Sequence, residues 1–245
     1  MKSYMIAFVF LLCFVFTARA QTVEHIVKQN IAARGGLQQI EKVHSIQMSG
    51  YATMNGMNAP FTIMMERPGK LRIDLHMQNN TIVQAYDGNI GWARIPDGNG
   101  SIVRQMSPSE AQSLKDEADF DGPLIHYKQK GNKVVLLGRV MSNGIDSYKL
   151  LVTNPKGEKT TMLVNARSYN ITGEITHKKV TGSNPVSSHM AKIETNYSDF
   201  KHVRDLVLPF AIETVVDGKR ISDLKINNIQ LNPDFPDSLF TMPAK

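Results

Sequence analysis

The chain has 245 residues, with 28 Lys and Arg against 22 Asp and Glu. The positive charge is spread along the chain with no block of Lys or Arg, which speaks against a nucleic-acid groove. A single cysteine, Cys13, rules out an internal disulfide, so the core must come from packing.

Met1 and Lys2 make a short basic start, and Tyr4 to Phe16 is nearly all apolar. Thr17-Ala18-Arg19-Ala20 follows, with small residues one and three places before a cut after Ala20. This is the pattern of a secretory leader at 1–20. The apolar run falls short of the roughly 20 residues of a membrane span, and no later stretch approaches that length. Cys13 lies inside the run and follows Leu12, where a lipidation signal needs a small residue, so it is expected to leave with the leader. Residues 21–245 are then expected to form one soluble domain in the periplasm, with 26 cationic and 22 acidic side chains.

Helical spacing runs from about Thr22 to Val43 through Val23, Ile26, Val27 and Ile31, then Leu37, Ile40 and Val43. Gly35-Gly36 divides it into a helix, a break and a short second helix. A capping box, Ser107-Pro108-Ser109-Glu110, opens a central helix through Ala111, Leu114 and Ala118, and Asp121-Gly122-Pro123 ends it.

Most of the remainder alternates as strand. Ile46-Met48-Gly50 and Phe61-Ile63-Met65 flank Asn55-Gly56, a hairpin signal. Leu71-Ile73-Leu75-Met77 follows the turn at Arg67-Pro68-Gly69, then come Ile82 to Tyr86 and Ile90 to Ile95. Beyond the central helix, further strands span 134–141, 147–153, 160–165, 170–180, 189–200, 206–216 and 221–231. One antiparallel sheet of that size coils. The predicted class is mainly β (α+β): an open half-barrel with an apolar inner face covered by two helical segments, the setting of an apolar ligand site.

The chemical motifs are sparse. The seven histidines form no H-x-H or H-E-x-x-H set, and there is no nucleophile elbow or phosphate-cradling loop. Asp74 and His76 share a strand face but read as solvated. Asp116, Glu117, Asp119 and Asp121 lack EF-hand spacing. No catalytic residue, metal site or cofactor is expected, and the enzyme reading is the weakest of those considered.

A series of short motifs resembles LolA/LolB-like proteins, the outer-membrane lipoprotein-sorting superfamily. They are Ile31-Ala-Ala-Arg-Gly-Gly-Leu37, Met57-Asn-Ala-Pro-Phe-Thr-Ile63, Arg67-Pro-Gly-Lys-Leu-Arg72, Gln84-Ala-Tyr-Asp-Gly88 with Gly91-Trp92, and Ala118-Asp-Phe-Asp-Gly-Pro-Leu124. Tyr197-Ser-Asp-Phe200, Leu208-Pro209 and Asp237-Ser-Leu-Phe240 with Pro243 complete the series. The resemblance spans residues 21–245 and is to the uncharacterised branch more than to the characterised carriers. It implies a half-barrel of about eleven strands, plugged by helices, whose cavity takes acyl chains of lipoproteins. It assigns no functional residue, because no particular arginine here matches the carriers' lid arginine.

The expected function is a periplasmic carrier of lipid or lipoprotein acyl chains. Its partners would be inner- and outer-membrane sorting components, with only transient membrane contact and no nucleic acid. The alternative is a lipid- or partner-sensing accessory domain without transport. The expected cavity wall is Met48, Phe61, Ile63, Met65, Leu71, Ile73, Leu75, Ile82 and Trp92, and the expected helical plug is Ile26, Ile31, Leu37 and Leu114. The wall assignment rests on period two and shifts to the other face with a slip of one residue.

Overall fold

The structure, a computed structural model, describes residues 22–54, 56–77, 80–98, 100–181 and 188–244. The expected leader, its cut after Ala20 and Cys13 lie outside those residues. Among the described residues no helix is long and apolar enough to cross a membrane.

Helix α1 (Val23–Ala33) starts at Thr22, whose hydroxyl accepts the His25 N–H at 3.2 Å. Its buried stripe is Ile26, Val27 and Asn30. Gly35 and Gly36 then take φ of +116° and +89°. A Cβ on Gly35 would lie 2.1 Å from the Asp205 carbonyl oxygen, so only glycine lets the chain rest on that turn. The short helix α2 (Leu37–Glu41) follows.

The first six strands are β1 (Ser45–Met54), β2 (Met57–Glu66), β3 (Lys70–Met77), β4 (Asn80–Tyr86), β5 (Gly91–Asp97) and β6 (Gly100–Gln105). Helix α3 (Pro108–Glu117) interrupts the strands. Then come β7 (Lys133–Ser142), β8 (Ile145–Thr153), β9 (Lys159–Asn165), β10 (Ile171–Thr181), β11 (Ser188–Val203), β12 (Leu206–Val216) and β13 (Lys219–Leu231). They form one antiparallel sheet in the order β6-β5-β4-β3-β2-β1-β13-β12-β11-β10-β9-β8-β7. The expected open half-barrel is present, with thirteen strands where about eleven were expected. The strand absent from the sequence reading is β6, a short, mostly exposed edge with little alternation.

This order explains the plug. Two meanders, β1–β6 and β7–β13, are joined where β1 pairs with β13, with Ile46 opposite Leu231 and Met54 opposite Ser222. The sheet edges are therefore β6 and β7, which are consecutive in sequence. The segment between them, 106–132, has to reach from one edge of a curved sheet to the other, and α3 is part of that crossing. On the outer face, the chain after β13 returns as a strap. Lys70 Nζ bonds Asp237 at 2.7 Å, Arg72 Nη1 donates to the Leu239 carbonyl at 2.8 Å, and Phe240 is fully buried.

The start of α3 is set locally. Ser107 Oγ accepts the Glu110 N–H, and the Glu110 carboxylate accepts the Ser107 N–H at 2.9 Å. Arg104 also pairs with Glu110 at 2.6 Å. The Arg104 hydrogen bond, then those from Ser107, hold the Glu110 carboxyl down at about 2, against an ordinary 4.5. A depressed carboxyl pKa contributes stability above the unfolded value, and that stability is lost as pH falls through the folded one. Hydrogen exchange of the α3 amides should thus speed up, relative to α1, as pH drops from 4.5 towards 2. Glu110→Gln should remove most of that pH response, and an unchanged response would show that the cap does not hold α3.

Candidate functional site: the concave face

Cross-strand register decides which side chains share the inner face. Met48, Ile63 and Ile73 stand opposite one another across β1, β2 and β3. Phe61, Leu75 and Ile82 form a second row, and Met65, Leu71 and Tyr86 a third. In the other meander Tyr197, Ile212 and Leu224 form a row across β11, β12 and β13.

Three apolar clusters fill much of this face. Ile26 and Val27 of α1 pack with Leu124 on Tyr148, Leu150, Val152, Met162 and Val164 of β8 and β9. In the centre, Ile40, Val43 and Ile125 pack on Ile46, Phe61, Leu206, Ile226 and Leu231. At the β2–β5 wall, Leu114 and Ala118 pack with Met106 on Leu71, Tyr86 and Ala93. There Gly91 matters, because a Cβ on it would meet Ala111 Cβ at 2.9 Å. Met48, Phe210, Ile212 and Leu224 border the central cluster and stay half-buried.

The contacts of α3 differ on its two sides. Leu114 and Ala118 face the wall. On the opposite side the links are polar: Lys156 Nζ donates to Gln112 Oε1 at 2.8 Å, and Lys178 Nζ lies 3.9 Å from Asp116. Beneath lies a polar floor. Arg34 donates to the carbonyls of Asp121 at 2.8 Å and Phe120 at 3.3 Å. Burial lowers the Arg34 pKa, and Asp121, Asp119 and Glu174 pull it back up. Burial pushes Glu174 up, while the Tyr197 hydroxyl and Arg34 oppose the shift. Tyr197 is raised by burial and by Glu174, so it stays protonated beside that carboxylate.

The cavity between α2 and the sheet is small. The cavity bounded by Arg34, Ile40, Val43, Ile46, Phe120, Leu206 and Leu208 holds about 20 Å³, room for one water. Pockets for small molecules run to about 300–1,000 Å³. A groove of about 500 Å³ exists on the opposite, convex face, between Arg72, Trp92, Arg94 and the strap at 241–244.

The structure brings together Met48, Phe61, Ile63, Met65, Leu71, Ile73, Leu75 and Ile82 on the concave face. Trp92 is a correction. It stands opposite Ala85 and buries itself on the convex side with Val83, Ala85 and Met242. Its small neighbours Gly91 and Ala93 face inward, where α3 needs the room, so the large ring points out. Its Nε1 donates to the Phe240 carbonyl at 2.6 Å. Trp92→Phe should cost about 1–2 kcal/mol in urea unfolding through that lost bond, and should leave binding on the concave face unchanged. Of the plug residues, Ile26 and Leu114 are buried and Ile31 packs between two clusters. Leu37 is the second correction: it opens α2 at 36% exposure while Ile40 faces the sheet.

The sequence reading missed Phe210, Ile212, Leu224, Tyr197 and Glu174. In β12 the run Leu206 to Ile212 is apolar on both faces, so periodicity names no inner side. Asp74 and His76 point away from the concave face. Asp74 is paired with Arg72 at 2.8 Å, and His76 bonds Thr81 at 3.1 Å. Asp119 and Asp121 are paired with Lys130 and Arg67. Among the described residues no group of three or more His, Cys, Asp or Glu is placed to hold a metal ion.

No family model matches the sequence, and no curated protein matches it. Solved structures do share the architecture. A LolA superfamily protein from Nitrosomonas europaea superposes with a TM-score of 0.57 at 16% identity, over 91% of this chain and 98% of that one. A DUF1329 family protein from Desulfovibrio piger gives 0.59 at 11% identity, over 91% and 98%. A domain named for outer membrane lipoprotein sorting, from Vibrio parahaemolyticus, gives 0.53 at 9% identity, over 88% and 94%. The fold is LolA-like.

Proposed function

We propose that the protein is a periplasmic carrier that takes the acyl chains of lipids or lipoproteins onto its concave face and passes them between membrane sorting components. The observation that carries this reading is the asymmetric seating of α3. One side of it covers apolar strand residues through Leu114 and Ala118, and the other is held by polar links to Lys156 and Lys178. A cover of that kind can leave an apolar face and return to it. The LolA-like fold and the lipoprotein-sorting name of one structural neighbour support the same reading.

The energetics agree in sign. Each buried CH₂ contributes about 0.8 kcal/mol, so a long acyl chain gains on the order of 10 kcal/mol. Uncovering Leu114 costs about 2–3 kcal/mol, with less for Ala118. The surplus is offset by ordering the chain and by strain in the opened cover. Native mass spectrometry of protein purified gently from its own compartment tests the proposal. An acylated ligand should co-purify. Protein that arrives empty and also fails to bind a fluorescent fatty-acyl probe sinks it.

A further inference from the structure

The two ends of the half-barrel differ. One end carries the turns at 67–69, 87–90 and 204–205, where the glycine break after α1 also docks. The other end, the tip end, carries the connections β1–β2, β3–β4, β5–β6, β8–β9, β10–β11 and β12–β13.

At the tip end of β1–β6 the large apolar residues that face inward are Met54, Met57, Met77, Ile82, Ile95 and Ile102, with Asn80 and Asp97 on the same face. Along this lip Met54 stands opposite Met57 and Ile95 opposite Ile102. None of the six belongs to the cluster that α3 covers. Met57 is 56% exposed, Ile95 40% and Ile102 52%. Large apolar side chains held in water at one rim, and not scattered, mark a contact surface.

The tip end of the other meander has the opposite character. Lys133 starts β7, Lys159 starts β9, Lys179 nears the end of β10 and Lys219 starts β13. All four are exposed, and among the described residues none has an ion-pair partner. Of the carboxylates beside them, Asp217 accepts from Lys192 N at 2.8 Å and lies 2.9 Å from His189 Nε2, while Glu158 accepts from the neutral Asn154 amide at 2.6 Å and keeps its charge. The rim at this end therefore carries an apolar lip on the concave side of one meander and, on the other meander, exposed lysines, of which Lys133, Lys159 and Lys179 stand on the convex side of their strands and Lys219 on the concave side.

We propose that this rim is a docking edge for an anionic phospholipid surface. The Met and Ile lip enters the boundary between headgroups and acyl chains, and the four lysines meet the phosphates. Methionine suits such a lip, since its unbranched side chain adapts to a disordered surface. The geometry would set the tip end of the half-barrel against the bilayer. The inference stands on exposure and charge, and it goes beyond the carrier reading.

Vesicle co-sedimentation tests it, with the chain from Gln21 onward, which contains every described element. Vesicles of phosphatidylglycerol and phosphatidylcholine should retain the protein, pure phosphatidylcholine should retain it about tenfold less, and 0.5 M salt should release it. Met57→Ser/Ile95→Ser/Ile102→Ser should weaken retention about tenfold. So should Lys133→Glu/Lys159→Glu/Lys179→Glu/Lys219→Glu, while Leu37→Ser, an exposed apolar residue elsewhere, should change nothing. Circular dichroism confirms that each variant is folded. Lack of retention of the unaltered protein overturns the proposal, as does retention that ignores vesicle charge or the lip substitutions. Self-association that the Ser variant abolishes, without vesicle binding, overturns it in favour of a second copy. Fatty-acyl probe binding in solution is scored separately, so an empty protein that still docks refutes the carrier and not the docking edge.

Discussion

Crosslinking α3 to β10 should abolish uptake of a fatty-acyl probe, and cleaving the crosslink should restore it. The expectation follows from volume. The cavity beside Arg34, Ile40, Val43 and Phe120 holds about 20 Å³, far below the space an acyl chain fills, so a chain taken up there has to displace some cover. Of the two longer helices, α1 and α3, α3 has the weaker apolar anchor. Leu114 is its one buried residue, whereas α1 buries Ile26, Val27 and Asn30, and Asn30 Nδ2 donates to the Tyr169 carbonyl at 2.7 Å. The residues to join are Asp116 and Lys178, whose charged ends already lie 3.9 Å apart. Asp116→Cys/Lys178→Cys, closed with a short bis-thiosulfonate linker, should bind the probe at least about a hundredfold more weakly than the uncrosslinked double variant. Reductant should return it to the uncrosslinked level. Probe affinity unchanged by the linker would show that acyl chains enter without moving α3, and the lid role assigned to it would be wrong.

The parts of this fold that could be read from sequence are those whose cause is local. Ser107-Pro108-Ser109-Glu110 carries its own helix start, and both hydrogen bonds of the capping box form. Gly35-Gly36 marks a break because two residues with positive φ cannot continue a helix. The alternation of Leu71, Ile73 and Leu75 names one face, and that face is concave. What was not legible depends on distant partners. The pairing of β1 with β13 joins residues more than 160 positions apart, and it alone makes β6 and β7 the edges. Trp92 was misplaced because its face is chosen by what α3 needs at Gly91 and Ala93, and no period-two rule contains that. The β12 half of the concave face was missed for a related reason. Where both faces of a strand are apolar, only the twist of the whole sheet decides which is inside.

Asp121→Ala should lower the stability of the fold by about 3 kcal/mol, more than any other single substitution proposed for this chain. Asp121 sits in the segment that follows α3, with its side chain 10% exposed. Arg67, from the turn between β2 and β3, grips both carboxylate oxygens, one at 2.6 Å. The same guanidinium donates to the carbonyl of Val43 at 2.7 Å and of Ile40 at 3.3 Å, and lies 4.5 Å from the Phe120 ring. One ion pair thus ties the α3 segment, the end of α2 and the sheet together. Removing the carboxylate leaves Arg67 without its counter-ion and beside Arg34, a like charge that also depends on Asp121. Breaking a pair of this kind costs more than the pair itself contributes, because the remaining charge stays desolvated. Arg67→Lys should lose less, since an ammonium keeps the charge but not the two-pronged grip. Urea unfolding gives the measure, with a shifted midpoint at unchanged slope. A change below about 0.5 kcal/mol for Asp121→Ala would place it among ordinary surface substitutions and remove the pair from the account. If the pair does hold the closed form, the same variant should bind the acyl probe more tightly while folding less stably. Opening the cover then costs less, and both readings move from one substitution in opposite directions.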